Sequence, residues 1–168
     1  GRLIETQNYC TTVIKAYAAY TKKYGGKEPI IIAGEGPHKE RLQHLAQQEG
    51  VADKVFFIGF QSNPYKWVSN AALFLFGSKN EGLPTVLIEA LALQKPIVAT
   101  ECKTGVKEIL MYGKAGSLTP VGDVNAMCEA INKLINDPAL QQSYAVNAPE
   151  ILKEFDIKTV IKQFEALV

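Results

Sequence analysis

The chain is poor in what disulfide, metal-binding and membrane-spanning proteins depend on. Its three cysteines, Cys10, Cys102 and Cys128, are an odd number, lie far apart and form no C-x-x-C pair. That excludes a disulfide framework and leaves reduced thiols of a cytoplasmic protein as the expectation. Histidine is scarcer still: His38 and His44 are the only two, with no acidic or cysteine partner at metal-ligand spacing, so no metal site is expected. Charge of one sign is missing too. Lysine plus arginine number 18 against 17 acids, which removes any general electrostatic drive toward nucleic acid. The longest strongly apolar stretch, residues 71–76, falls far short of the roughly 20 residues that cross a bilayer, and no charged-then-apolar leader opens the chain.

What is present is an ordinary globular composition, 47% apolar and 21% charged over 168 residues, enough for one domain with a sizeable core. The chain begins abruptly at Gly1-Arg2-Leu3, which reads as a trimmed protein or a domain cut from a longer one. Apolar residues Tyr9, Val13, Ala16, Tyr17 and Tyr20 recur at steps of three and four and predict a helix over residues 8–23, stopped by Gly25-Gly26. The run Pro29-Ile30-Ile31-Ile32-Ala33 predicts a strand buried on both faces, with a tight turn at Gly34-Glu35-Gly36-Pro37 and a helix over residues 38–48. The alternation continues with strands at 54–58, 72–76, 96–99 and 117–119 and helices at 64–70, 84–93, 105–111 and 123–136. Asp123 is the expected N-cap of the last of these, and Met127, Ile131 and Leu134 its core stripe. Short strands alternating with helices imply an α/β fold, a doubly wound Rossmann-like parallel sheet of five or six strands. Residues 1–137 would form this core and residues 138–168 a helical tail, together one domain.

Ligands of such sheets bind beyond the carboxyl ends of the strands. Three loops there stand out. At Gly34-Glu35-Gly36-Pro37 the backbone can approach a ligand closely, yet Lys39 replaces the third glycine of a dinucleotide fingerprint, so a plain tight turn competes with a ligand loop. In Gly77-Ser78-Lys79-Asn80-Glu81-Gly82-Leu83-Pro84-Thr85, Pro84 opens a helix and leaves the Thr85 and Val86 amides to face outward as an anion site. Glu89 is the lone carboxylate of that otherwise apolar helix and needs a partner, either ligand hydroxyls or some lysine; Glu81 is a ligand contact or a loop acid in water. The third loop, residues 100–105, is placed to close over a ligand. Arg2, one of two arginines, suits a phosphate contact or a solvated surface.

Five signatures in order then carry a resemblance. They are Gly1-Arg2-Leu3; Gly34-Glu35-Gly36-Pro37 with Leu42; Val55-Phe56-Phe57-Ile58-Gly59; Glu81-Gly82-Leu83-Pro84-Thr85 through Glu89-Ala90; and Lys95-Pro96-Ile97-Val98-Ala99-Thr100 followed by Thr104-Gly105-Val106-Lys107-Glu108-Ile109-Leu110. The sequence resembles the carboxy-terminal, donor-binding domain of GT-B-fold retaining glycosyltransferases of the glycosyltransferase family four type. The resemblance implies transfer of a sugar, with retention, from a UDP- or GDP-sugar to an acceptor glycan or lipid-linked glycan held by an amino-terminal domain outside this chain. Carried over, it gives Glu81 the catalytic position against the donor sugar and Glu89 the ribose hydroxyls. The amides of Leu83 and Thr85, with Arg2 and the position of Gln7, would face the diphosphate; Gly34 and Gly36 would let the chain pass close to the donor; and the Phe60 main chain would meet the base. Gly82 and Pro84, in the same turn, would belong to the donor-binding set as well. No cofactor or metal is implied, because protein cations and dipoles do that work, and polysaccharide assembly at the inner face of a membrane is the implied setting. Lys15, Lys22, Lys23 and Lys27 would favour an anionic surface, although a solvated helix face explains them as well.

Two departures matter. Gln7 stands where the family usually has a diphosphate-pairing lysine, and a neutral donor bonds about half as strongly as a charged one. Lys79 would have to compensate, or the domain is a degenerate module that binds a nucleotide sugar or a partner without turnover. Gln94 replaces a glycine between helix and strand, which alters loop geometry. A GT-B nucleotide-sugar epimerase is the remaining alternative, and the Glu81 to Glu89 spacing argues against it.

Overall fold

The computed structural model describes residues 9–156 and 158–159. Helix α1 (Tyr9–Tyr24) buries Val13, Ile14, Tyr17 and Tyr20 and ends where Gly25 takes a φ of 71° and donates its N–H to the Thr21 carbonyl. Strands β1 (Ile30–Ala33), β2 (Val55–Gly59), β3 (Phe74–Phe76), β4 (Ile97–Thr100) and β5 (Ser117–Thr119) alternate with α2 (Lys39–Gln48), α3 (Tyr65–Ser69), α4 (Thr85–Ala92), α5 (Val106–Ile109), α6 (Val124–Asn136) and α7 (Pro138–Glu154). Every strand pairing is parallel, as crossover helices require.

The one continuous sheet expected from the alternation is two ladders, β1–β2 and β3–β4–β5. Strand β3 is only three residues long and pairs with β4 on one side. Toward β1 it is joined by side chains instead: Leu73 and Leu75 pack against the cluster that holds Ile32, Val55 and Val98. Strand β4 is the one buried on both faces, all four residues of it. Its alternating side chains serve two cores. Val98 joins α1, α2 and α6, whereas Ile97 and Ala99 join α4, α5 and α7.

Burial on both faces was expected of β1, and there the structure differs. Ile31 is 40% exposed and its register partner Phe56 48%. The β1–β2 ladder is covered by α1 and α2 on the side of Ile32 and Val55, and this cross-strand pair occupies the opposite side.

At α6 the expected cap is present, Asp123 Oδ1 accepting from the Ala126 N–H at 2.9 Å, and Met127, Ile131 and Leu134 are buried. Gln94 takes a φ of 55°, the glycine-favoured region, at the turn between α4 and β4. Helix α7 lies on its own domain's core, with Ala148 buried and Ile151, Leu152 and Phe155 packed against the cluster of α4 and α5. Of the four lysines at α1, Lys23 is committed: it pairs with Glu129 of α6 at 2.6 Å, and the Tyr24 hydroxyl donates to the same carboxylate.

Burial pushes the Cys10 thiol from 9.0 up to about 11, and raises the Tyr17 and Tyr20 phenols in the same direction. Between these values the unfolded thiol has lost its proton while the folded one retains it, so the native state is disfavoured as pH rises. The denaturant midpoint is expected to fall between pH 9 and 11, and Cys10→Ala to flatten part of that fall. A midpoint constant across that window would refute the linkage.

Candidate functional site

Parallel strands end on one side, and the loops after β1 and β2 meet there. The Gly34 N–H donates to the Gly59 carbonyl at 2.8 Å, and Glu35 Oε1 accepts from the Phe60 N–H at 3.4 Å. Gly34 has a φ of 149°, open to glycine and strained for other residues. Gly36 follows in the turn, its carbonyl accepting from Lys39 N–H at 3.2 Å. Gly34, Gly36 and Phe60 are thus drawn into one loop pair, with the Phe60 side chain 72% exposed.

The loops after β3 and β4 make a second pair. Asn80 bridges Lys103 in parallel, the Glu81 N–H donates to the Lys103 carbonyl at 3.4 Å, and the Thr104 hydroxyl donates to the Glu81 carbonyl. Gly105, at φ 76°, sits where a side chain would be strained and crowded: a Cβ there would lie 3.1 Å from Pro84 Cδ and 3.3 Å from the Gly82 carbonyl oxygen. Residues 100–105, expected to close over a ligand, clasp the Glu81 loop. The Glu81 carboxylate is half-buried and accepts a hydrogen bond from the fully buried Ser78 hydroxyl at 2.9 Å. Cys102 is beside it. Burial first, then the Glu81 charge, pushes that thiol upward against its hydrogen bond with Ser78.

Helix α4 starts immediately after this loop. Pro84 is its N-cap residue. The Thr85 amide, expected to face outward, instead donates to the Leu83 carbonyl at 2.9 Å, because the tight turn at Pro84 folds it back. Among the described residues, none accepts from the N–H of Leu83 or Val86. Leu83 and Val86 are also exposed, at 54% and 38%. Glu89 follows Val86 by three and Thr85 by four, so the three share one helix face, opposite the buried Leu87 and Leu91. Its half-buried carboxylate has neither a hydrogen bond nor an ion pair among the described residues. The lysine partner that would have made it a structural acid is absent there.

The arrangement offers free amides at the positive end of a helix, an unpartnered carboxylate on the same face, and a second carboxylate one loop away. Amides and dipole suit an anion; an ionised carboxylate suits hydroxyl donors. Arg2 and Gln7 lie outside the described residues. Sequence reasoning did not single out Ser78, Thr100, Thr104 or Glu35 as partners. The available signal was a serine three residues before Glu81 in a strand-end loop. Among the described residues, no group of three histidine, cysteine or acidic side chains could hold a metal ion, and no helix is long and apolar enough to cross a membrane.

The family model described as "Glycosyl transferases group 1" matches residues 1–151. An uncharacterized glycosyltransferase of Methanocaldococcus jannaschii is 32% identical over 197 residues, covering 100% of this chain and 48% of its own length. The N-acetylgalactosamine-N,N'-diacetylbacillosaminyl-diphospho-undecaprenol 4-alpha-N-acetylgalactosaminyltransferase of Campylobacter jejuni is 33% identical over 156 residues, 93% of this chain and 41% of that one. The chain therefore spans about half the length, or less, of the curated relatives it matches. Among solved structures, a variant of S. aureus TarM in complex with fondaparinux, alpha-GlcNAc-glycerol and UDP superposes with a TM-score of 0.89 at 23% identity, over 99% of this chain and 34% of that chain. Anabaena HepE in complex with UDP gives 0.83 at 23% identity, over 99% and 47%. Both share the fold.

Proposed function

The chain belongs to the glycosyl transferases group 1 family, and on that premise we propose that it is the donor half of a retaining transferase whose donor is a nucleoside-diphosphate sugar. The observation that carries the reading is the face of α4, where the unaccepted Leu83 and Val86 amides stand beside the unpartnered Glu89 carboxylate. In this reading the two amides and the helix dipole receive the diphosphate, whose negative charge grows as the sugar leaves. Arg2 adds a guanidinium to the same diphosphate. Glu89 accepts hydrogen bonds from the ribose hydroxyls. Glu81 meets the donor sugar, held from behind by Ser78 and from below by Thr104. The Gly34 and Phe60 main chains, in loops joined through the Gly59 carbonyl and the Glu35 carboxylate at the ends of β1 and β2, flank the base. Thr85 contributes position rather than a free amide, and Val86 takes the role expected of it.

The acceptor belongs to a further domain, consistent with the share of each relative that this chain covers. UDP is named with two of the structural relatives, and a lipid-linked diphospho-undecaprenol glycan is named with the Campylobacter relative. Both fit a UDP-sugar donor and a lipid-linked acceptor here.

Calorimetric titration of the full-length protein with UDP, GDP and ADP, with and without magnesium, tests the reading. Saturable binding of one nucleotide without magnesium is expected. Absence of binding to all three would overturn it. The isolated chain is expected to bind the same nucleotide and to transfer nothing, since half of the site lies elsewhere.

A further inference from the structure

Ser78 is 0% exposed, yet its hydroxyl is aimed at the one carboxylate of the loop after β3. It has two acceptors in reach, Glu81 Oε1 at 2.9 Å and the Asn80 carbonyl at 3.1 Å, and only one proton to give. The charged acceptor takes the stronger bond. The serine is itself fixed, because the Thr100 hydroxyl, also 0% exposed, donates to the Ser78 carbonyl from the end of β4. Two buried hydroxyls thus tie the Glu81 carboxylate to β4, the most deeply buried strand, Thr100 holding the Ser78 main chain and Ser78 holding the carboxylate. Cys102 belongs to the same cluster, its thiol pushed upward by burial and by the Glu81 charge against its hydrogen bond with Ser78.

We infer that Ser78 is a positioning residue for Glu81: its hydroxyl holds Oε1 of the carboxylate, so that the other oxygen is left to face the donor sugar. This rests on the donor-site reading above. A carboxylate tethered at one oxygen loses little rotamer freedom when substrate arrives, and its reach toward the sugar is set before binding. Ser78 has no route to the diphosphate or the base, which are read from α4 and from the β1 and β2 loops. Its effect should therefore fall on turnover rather than on nucleotide affinity.

The test uses the full-length protein, with UDP-glucose, UDP-N-acetylglucosamine and GDP-mannose as donor probes, nucleoside diphosphate release as the rate and calorimetry with UDP and GDP as the affinity. Ser78→Ala is expected to lower kcat about tenfold, the loss of one hydrogen bond to a charged group, while nucleotide affinity stays within about twofold. Ser78→Cys, which keeps the side-chain shape with a somewhat larger atom and weakens the donor, is expected to show the same split. In a Glu81→Ala background, read on the residual rate, Ser78→Ala should add almost nothing, since its route of action is gone. An equal loss in that background, or nucleotide affinity lost along with rate, overturns the inference and leaves the donor-site reading standing. Glu81→Ala at full rate overturns that reading and the inference with it.

Discussion

Glu89→Ala in the full-length protein is expected to lower affinity for the donor nucleotide at least about tenfold if one ribose hydrogen bond is lost, and at least about a hundredfold if both are, at about 1.5 to 3 kcal/mol per hydrogen bond to a charged group. The same change should leave folding stability intact. Glu89 has no partner among the described residues, so its removal breaks no native interaction; alanine is moreover the better helix former. Loss of binding with an unchanged or raised melting temperature separates a ligand contact from a structural acid, whose removal would lower both. Calorimetry with the nucleotide found by titration, paired with thermal melting, reads the two together. Unchanged affinity would remove Glu89 from the site.

Leu87→Ala is expected to have the opposite profile. Leu87 is 0% exposed on the buried face of α4, between Val86 and Glu89 in the chain. Deleting a buried leucine side chain costs about 3 to 5 kcal/mol from lost transfer energy and the residual cavity, or roughly 6 to 20 °C in melting temperature for a domain of this size. Nucleotide affinity should fall only through the fraction of unfolded protein, and so should recover when measured well below the transition. A melting temperature within about 2 °C of the wild type would mean that the site collapses on the cavity, and that α4 is held by other contacts.

Local pattern carried most of the element order. The 3.6-residue stripe of α1, the Asp123 cap and the three-residue strand β5 lie within a residue of where spacing alone puts them, because each is decided by its own side chains. Reading β1 as buried on both faces failed for a physical reason. An unbroken apolar run says that a strand is hydrophobic but not whether anything covers it, and Ile31 with Phe56 shows one side of the ladder left open. The Thr85 amide failed in another way. Proline at a helix start frees the following amides as a rule, yet the backbone at Pro84, with a ψ of 78°, turns the Thr85 N–H onto the Leu83 carbonyl.

By itself the sequence determined the α/β alternation and the family, and marked Glu81 and Glu89 as candidate site acids, because these depend on residue type and spacing along the chain. Only the tertiary structure decided which groups are already satisfied. Glu81 is tethered by Ser78 and Glu89 is not tethered at all among the described residues; the loop at residues 100–105 clasps its neighbour. Ser78 and Glu81 share one loop, but the clasping partners lie in loops after different strands, 23 residues apart in the chain, and hydrogen bonds are set by distance and angle in space, which no one-dimensional spacing encodes.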